Sequence, residues 1–135
     1  MKVQYAVVCE HQRQGQRGTF DMLGAFDRLF APNVPVQHRN LTFIVQVVTD
    51  EEPDLGKHGF HLVLSRPTGK PLFEQQGTFA LKPEGGSWLA SVRLGFEFNG
   101  LIFPEFGKYR FVVAIDGNPI ADQPLTLVQQ TAAVS

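Results

Sequence analysis

The chain has 135 residues, of which 43% are hydrophobic and 19% charged, and its formal net charge is −1 at pH 7. This length favours a single domain with a core of its own over residues 1–130, and the sequence has no long basic run for binding nucleic acid or an anionic membrane. The single cysteine excludes an internal disulfide, and the first residues lack the apolar stretch of a signal peptide, so we expect a cytoplasmic protein.

The first third of the sequence is typical of strands joined by polar turns. Apolar and polar residues alternate from Val3 onward, which predicts a strand, and the glycine-containing polar segment 11–18 predicts a loop or hairpin tip. Residues 19–23 resume the strand pattern, and Gly24 marks a bulge or a bend. The segment 27–31 is the one candidate for a short helical turn.

The middle of the chain continues the strand pattern. Residues 39–48 are partly apolar on both faces, which predicts a central strand that is covered on both sides. An acidic loop follows over residues 49–56. Residues 60–65 predict a further strand, and residues 72–81 predict either two weaker strands or one strand broken at Gly77.

Residues 88–98 show the clearest alternation in the sequence. Their inward positions are apolar, from Trp88 to Phe98, and Gly95 is a position where the strand can bend. Arg93 and Glu97 lie on the outward face, which indicates a solvated surface or a cross-strand ion pair.

The last third predicts a hairpin that closes the fold. Residues 108–115 alternate, Asp116 and Gly117 suit a tight turn because both tolerate positive φ, and Leu125 and Leu127 mark the return strand. Eight or nine strands with turn signals between them predict an all-β protein, an antiparallel Greek-key sandwich. Residues 131–135 are expected to form a frayed tail.

An apolar run interrupts the alternation between residues 101 and 106. Consecutive apolar residues on a strand cannot all face one core, so some of Ile102, Phe103 and Phe106 must either bridge the two sheets at a crossing or lie exposed. Exposed, they would mark an interface with a partner. The other crowded aromatic residues are interpreted as core, with an exposed platform for a ligand as the alternative.

The candidate metal and nucleophile residues are better explained by structural roles. His58 and His61 are three residues apart on a predicted strand and therefore point to opposite faces, so no metal site and no cofactor are predicted. Cys9 lies two residues from His11, but no nucleophile motif accompanies it, and we interpret it as a small core residue.

Asp27 and Arg28 are the one polar pair that suits an active site. They follow a glycine and precede a proline-bounded loop, where a catalytic acid can be positioned. The structural alternative is an Asp27 carboxylate that accepts hydrogen bonds from backbone amides as the chain leaves its strand.

Two stretches resemble a known family. They are LGAFDR at residues 23–28 and NGLxFPxxGxYxF at residues 99–111, with DG at 116–117 and PL at 124–125. The sequence resembles a family of short bacterial proteins that is described only as a domain of unknown function. This resemblance implies a compact β-sandwich and no assigned activity. The closing hairpin also looks like the last strands of immunoglobulin-like sandwiches, a looser likeness.

The function expected from these features is that of a small non-catalytic interaction or structural module. Its partner would be another protein or a second copy of the chain, bound through Ile102, Phe103 and Phe106. One alternative is a small hydrolase-type enzyme with its site near Asp27. The other is a ligand-binding sandwich that holds a sugar or a lipid.

Overall fold

The computed structural model describes residues 1–16, 19–83 and 89–130. In these ranges it has nine strands and one short 3-10 turn, Glu52–Asp54, in the acidic loop. The strands are β1 (Lys2–Gln14), β2 (Phe20–Ala25), β3 (Arg28–Ala31), β4 (Val36–Thr49), β5 (Gly56–Ser65), β6 (Pro71–Leu81), β7 (Ala90–Phe103), β8 (Gly107–Ile115) and β9 (Asn118–Gln129). The described part of the chain contains no helix long and apolar enough to span a bilayer.

The strands form two sheets, of which one has the order β2-β1-β4-β7 and the other the order β3-β9-β8-β5-β6. Neighbouring strands are antiparallel except β3 and β9, which are parallel. The chain passes from one sheet to the other after β2, β3, β4, β6 and β7, and such crossings between the sheets are typical of a Greek-key sandwich. The predicted all-β sandwich is therefore confirmed, with one parallel pair added.

The strand order is that of an immunoglobulin-like domain. In such domains strands A, B, E and D form one sheet, and strands C, F and G form the other, to which strand C′ can be added. Here β1, β4 and β7 take the places of A, B and E, and β6, β5, β8 and β9 take those of C′, C, F and G. No described strand takes the place of D, so β7 is an edge strand.

A single hydrophobic cluster fills the space between the sheets. The central strand β4 pairs with both β1 and β7 and is buried on both faces, as its sequence predicts. The residues 90, 94, 96 and 98 of β7 also lie in the core, as their alternation predicts. The largest fully buried side chains are Tyr109, Phe43, Phe103 and Phe111.

Several boundaries differ from the prediction. The segment 27–31 is not a helical turn but contains strand β3, because Ala31 packs into the core and the backbone pairs with β9. β1 continues to Gln14, and β6 runs unbroken through Gly77. Trp88 and the expected tail at 131–135 lie outside the described residues.

The distal part of β1 forms a hairpin arm with β2, which consists of residues 9–14 and 20–25. The arm folds back over the outer face of β7. Phe20 stacks on Tyr5 with ring centroids 6.3 Å apart, and the guanidinium of Arg93 lies 3.6 Å from the centre of the Phe20 ring. A Cβ atom on Gly95 would lie 2.7 Å from the side-chain nitrogen of Gln12. Gly95 thus leaves room for the arm and does not shift the register of β7.

Candidate functional site

The four edge strands of the sandwich differ in how well they are protected from pairing with another chain. Short length, proline, bulges and bends are the usual protection. β3 has 4 residues, β2 has 6 residues with Gly24 at φ 69°, and β6 begins at Pro71 beside a register shift in its pairing with β5. β7 has 14 residues, contains no proline and pairs with β4 without a register shift; its one bend, at Gly100 with φ 76°, lies near its end and leaves residues 90–99 straight.

The free β7 edge is the side of residues 90–103 that faces away from β4, where no strand of residues 1–16, 19–83 or 89–130 pairs with it. The core is incompletely covered there. Three inward residues of β7 are 5–8% exposed, whereas their partners on β4 are 0–1% exposed; the pairs are Leu94 with Val45, Phe96 with Phe43, and Phe98 with Leu41. An additional strand beside β7 would cover this apolar rim.

The outer face of β7 carries two opposite charges, Arg93 and Glu97. In the described part of the chain neither makes an ion pair, although the guanidinium of Arg93 contacts the Phe20 ring. They are four residues apart, with Gly95 midway between them. This spacing was visible in the sequence, but the open edge beside it was not.

The apolar run at the end of β7 contains both environments that its sequence allows. Gly100 has φ 76°, and beyond it the strand changes face, because Phe98 and Phe103 are both in the core although they are five residues apart. Phe103 is fully buried and packs edge-on against Tyr109, with ring centroids 5.0 Å apart. Ile102 is 53% exposed.

Phe106, the third candidate of this run, follows β7 in the connection to β8. Its side chain is half-buried and packs against the core. The structure thus places Phe103 inside, Phe106 at the boundary and Ile102 on the surface of the edge strand.

Asp27 and Arg28 lie on the surface at the start of β3. The Asp27 carboxylate is 72% exposed and lies 3.7 Å from Nε of Arg28. Among the described residues no backbone amide donates to this carboxylate, so it is not the expected cap; instead, the Thr126 amide donates to the Asp27 backbone oxygen at 3.1 Å. The depression beside it, of about 320 Å³, is otherwise lined by apolar residues and Gln123. Among the described residues of that lining, Asp27 is the only titratable group.

A polar cluster closes one end of the sandwich around His58. Its Nδ1 lies 2.5 Å from the Asp116 carboxylate, and its Nε2 lies 2.6 Å from the Asp54 backbone oxygen. Both partners only accept, so both ring nitrogens donate and the imidazolium form satisfies both. The hydrogen bond to Asp116 raises the pKa of His58, against the opposing effect of burial. A histidine held in this way is poorly suited to act as a base.

The carboxylates of this cluster are held in their ionised form. Hydrogen bonds from His58, and then from the Gly59 amide, lower the pKa of Asp116. Hydrogen bonds from the N-terminal ammonium, at 2.6 Å, and then from the Thr49 hydroxyl, at 2.8 Å, lower the pKa of Asp54. The cluster thus ties the chain start and the acidic loop to the last turn.

The remaining candidates have structural surroundings. His61 lies 3.3 Å from Glu74, away from His58. Across residues 1–16, 19–83 and 89–130, no three His, Cys, Asp or Glu side chains are placed together to hold a metal ion. Cys9 is fully buried, donates to the backbone oxygen of His11 at 3.3 Å, and has its thiol pKa raised by burial, which disfavours a nucleophilic thiolate.

The two larger polar depressions beside β7 lie on its outer face. One, of about 350 Å³, lies between the hairpin arm and β7 and is lined by Gln12, Arg13, Gln14, Arg93, Gly95 and Glu97. The other, of about 470 Å³, lies at the Gly100 bend and is lined by Gln37, Arg39, Asn40, Asn99 and Gly100. Their amide and guanidinium linings are unlike the apolar clefts that hold lipids.

Comparisons with known proteins agree with the fold and assign no activity. The chain is similar to the alkylpurine DNA glycosylase AlkC of Pseudomonas fluorescens, solved bound to DNA containing an abasic site analog, with a TM-score of 0.52 and 11% identity. The alignment covers 93% of this chain but 30% of AlkC, and at this identity it shows a shared fold only. An immunoglobulin-like protein from Pseudomonas aeruginosa aligns with a TM-score of 0.44 and 14% identity, over 95% of this chain and 93% of that protein.

The sequence comparisons give a family and no further relative. No curated protein matches the chain. Residues 4–128 match the model of a family of unknown function, DUF6941, and the chain therefore belongs to that family.

Proposed function

We propose that the protein is a non-catalytic interaction module that binds an extended strand of another polypeptide along the free β7 edge. The observation that carries this proposal is a 14-residue edge strand, without proline or register shift, at the position where an immunoglobulin-like sheet can hold strand D. Strand addition to such an edge supplies main-chain hydrogen bonds, and side-chain contacts supply specificity.

Two further observations support an interface at this edge. The apolar rim at Leu94, Phe96 and Phe98 keeps 5–8% of its surface exposed, and burial of apolar surface is the main favourable term in association. Ile102, on the same strand, is 53% exposed, and this exposed apolar side chain supports an interface along β7.

The alternative functions have less support. An active site at Asp27 would consist of one exposed carboxylate and its charged neighbour Arg28, which is less than an acid–base pair needs. A lipid site would need an apolar cavity, whereas the depressions beside β7 are lined by polar groups and the largely apolar depression beside Asp27 contains a carboxylate. We also propose a bacterial origin and a cytoplasmic location, which the family resemblance and the free, buried thiol of Cys9 respectively support.

Residue-resolved amide hydrogen exchange tests whether the edge is open. Every second amide of β7 points away from β4 and has no partner in that strand. In protein diluted until sedimentation shows only monomer, we expect these amides to exchange at nearly the rate of an unstructured peptide, while the alternate β7 amides and those of β4 are strongly protected. Equal protection of both sets of β7 amides in the dilute protein would overturn the proposal.

A further inference from the structure

We propose that the strand bound at the free β7 edge is β7 of a second copy of the same chain, paired antiparallel about a two-fold axis at Gly95. This inference rests on the proposed function of the edge and adds the identity of the partner and the register. The resulting dimer would join two four-stranded sheets into one continuous sheet.

The register follows from the positions of the two unpaired charges. About a two-fold axis perpendicular to the sheet, a residue a given number of positions before the axis residue lies opposite the residue the same number of positions after it in the other copy. The two side chains point to the same face of the sheet. With the axis at Gly95, Arg93 of each copy lies opposite Glu97 of the other. Directly opposed Cβ atoms are roughly 4.5–5.5 Å apart, close enough for both reciprocal ion pairs.

Neighbouring registers lack this complementarity. The axis has to pass through a residue, because only then do opposed side chains lie on the same face. With the axis at Leu94, Arg93 would lie opposite Gly95; with the axis at Phe96, it would lie opposite Asn99. The charge pattern therefore favours Gly95.

The same register covers the apolar rim of the core. On the inward face, Leu94 of each copy lies opposite Phe96 of the other, and Val92 lies opposite Phe98. Leu94, Phe96 and Phe98 are the most exposed of the core residues of β7, and Val92 is half-buried. A second copy brings a matching apolar row by symmetry.

Self-pairing also accounts for the lack of protection on this edge. A long regular edge strand is a template for open-ended association unless something covers it. A two-fold contact uses the β7 edges of both copies and closes the assembly at two chains. A different protein would need the same alternation and the same two charges at the same spacing.

Sedimentation velocity of charge-reversed variants tests the proposal. We expect the wild-type chain to sediment as a dimer at micromolar concentration. Arg93→Glu replaces two ion pairs with two repulsive pairs, as does Glu97→Arg, and either should weaken the dimer by about tenfold or more. An equimolar mixture of the two variants should recover wild-type dimerisation, because each hybrid dimer contains two attractive pairs. Lys108→Glu, an exposed charge reversal on the inner strand β8, should leave association unchanged.

Each outcome separates this inference from the proposed function. A wild-type chain that stays monomeric into the high micromolar range overturns the second copy as partner, while fast exchange of the outward β7 amides would still support an open edge. A dimer unaffected by either reversal overturns the register. Recovery in the mixture also shows that the single variants fold.

Discussion

The rings of Phe43 in β4 and Phe111 in β8 stack across the sandwich, with centroids 4.6 Å apart and ring planes inclined by 16°. Each ring comes from a different sheet, and both are fully buried. In antibody domains a disulfide joins the two strands to which β4 and β8 correspond. An aromatic stack therefore links the sheets where antibody domains use a covalent bond, in a chain with one cysteine.

Phe111→Leu should destabilise the fold, because it removes the stack and leaves a cavity between the sheets. We expect a loss of about 1–3 kcal/mol in the free energy of unfolding, measured by urea denaturation. Phe30→Leu is the matched control at a side chain that is 60% exposed, and it should change stability by less than about 0.5 kcal/mol. Equal losses in the two variants would contradict this role of the stack.

Tyr109 fixes the connection from β7 to β8. Its hydroxyl donates to the Glu105 backbone oxygen at 2.6 Å and accepts from the Glu105 amide at 3.2 Å, an arrangement found near the start of strand F in immunoglobulin-like domains. Tyr109→Phe should cost about 1–2 kcal/mol in chemical denaturation, since it leaves both backbone groups without this partner. The Tyr5 hydroxyl lies 3.4 Å from the Gln46 side chain, so Tyr5→Phe should lower the free energy of unfolding clearly less.

Gly77 in β6 leaves the space that the Phe60 ring occupies. A Cβ atom there would lie 2.6 Å from two ring atoms, and Phe60 packs edge-on against Phe96 with centroids 5.5 Å apart. Gly77→Ala should therefore lower the free energy of unfolding by about 1–3 kcal/mol. Gly59→Ala, on the paired strand with its nearest atom at 3.9 Å, should be tolerated. A neutral Gly77→Ala would show that Phe60 has room to move.

The His58–Asp116 pair should make stability depend on pH. The raised pKa of His58 means that its contribution is complete below the pKa of an unfolded histidine, about 6.5, and is lost as the pH rises through the higher folded value. The lowered pKa of Asp116 means that its contribution is present above about pH 3.9 and is lost as the pH falls through its lower folded value.

Asp116→Asn removes this charge and keeps a residue that tolerates the φ of 51° at this turn. The difference in Tm between the wild type and this variant should be largest between about pH 4 and 6.5 and should shrink at higher pH. Asp122→Asn, which breaks an exposed pair with Arg110, is the control and should give a constant difference above about pH 6. A Tm difference for Asp116→Asn that grows with pH would contradict the assignment.

Local patterns in the sequence predicted the strands and their inward faces. The alternation around Phe96, and positive φ at Asp116 and Gly117 in the closing turn, are both confirmed. These features depend on neighbouring residues only, so they are readable without the fold.

Features that depend on distant contacts were not predicted. The segment 27–31 became a strand because β9 lies beside it, and Phe20 reaches Tyr5 only because the hairpin arm folds back over the sheet. The open edge of β7 depends on which strands neighbour it, which alternation alone does not reveal. Arg93 and Glu97 therefore appeared as ordinary surface charges.

Directed disulfide formation is the most direct test of the β7 dimer. Ser91 and Asn99 are exposed and lie four residues on either side of Gly95, so each should lie opposite the other in the dimer. Opposed Cα atoms in antiparallel strands are roughly 4.5–5.5 Å apart, within the range of a disulfide. The buried thiol of Cys9 should not compete.

We expect an equimolar mixture of Ser91→Cys and Asn99→Cys chains to form a covalent dimer under mild oxidation, while neither variant alone does so. The pairing of β7 about Gly95 would be contradicted if either variant alone cross-linked as fast as the mixture. It would also be contradicted if the mixture formed no covalent dimer.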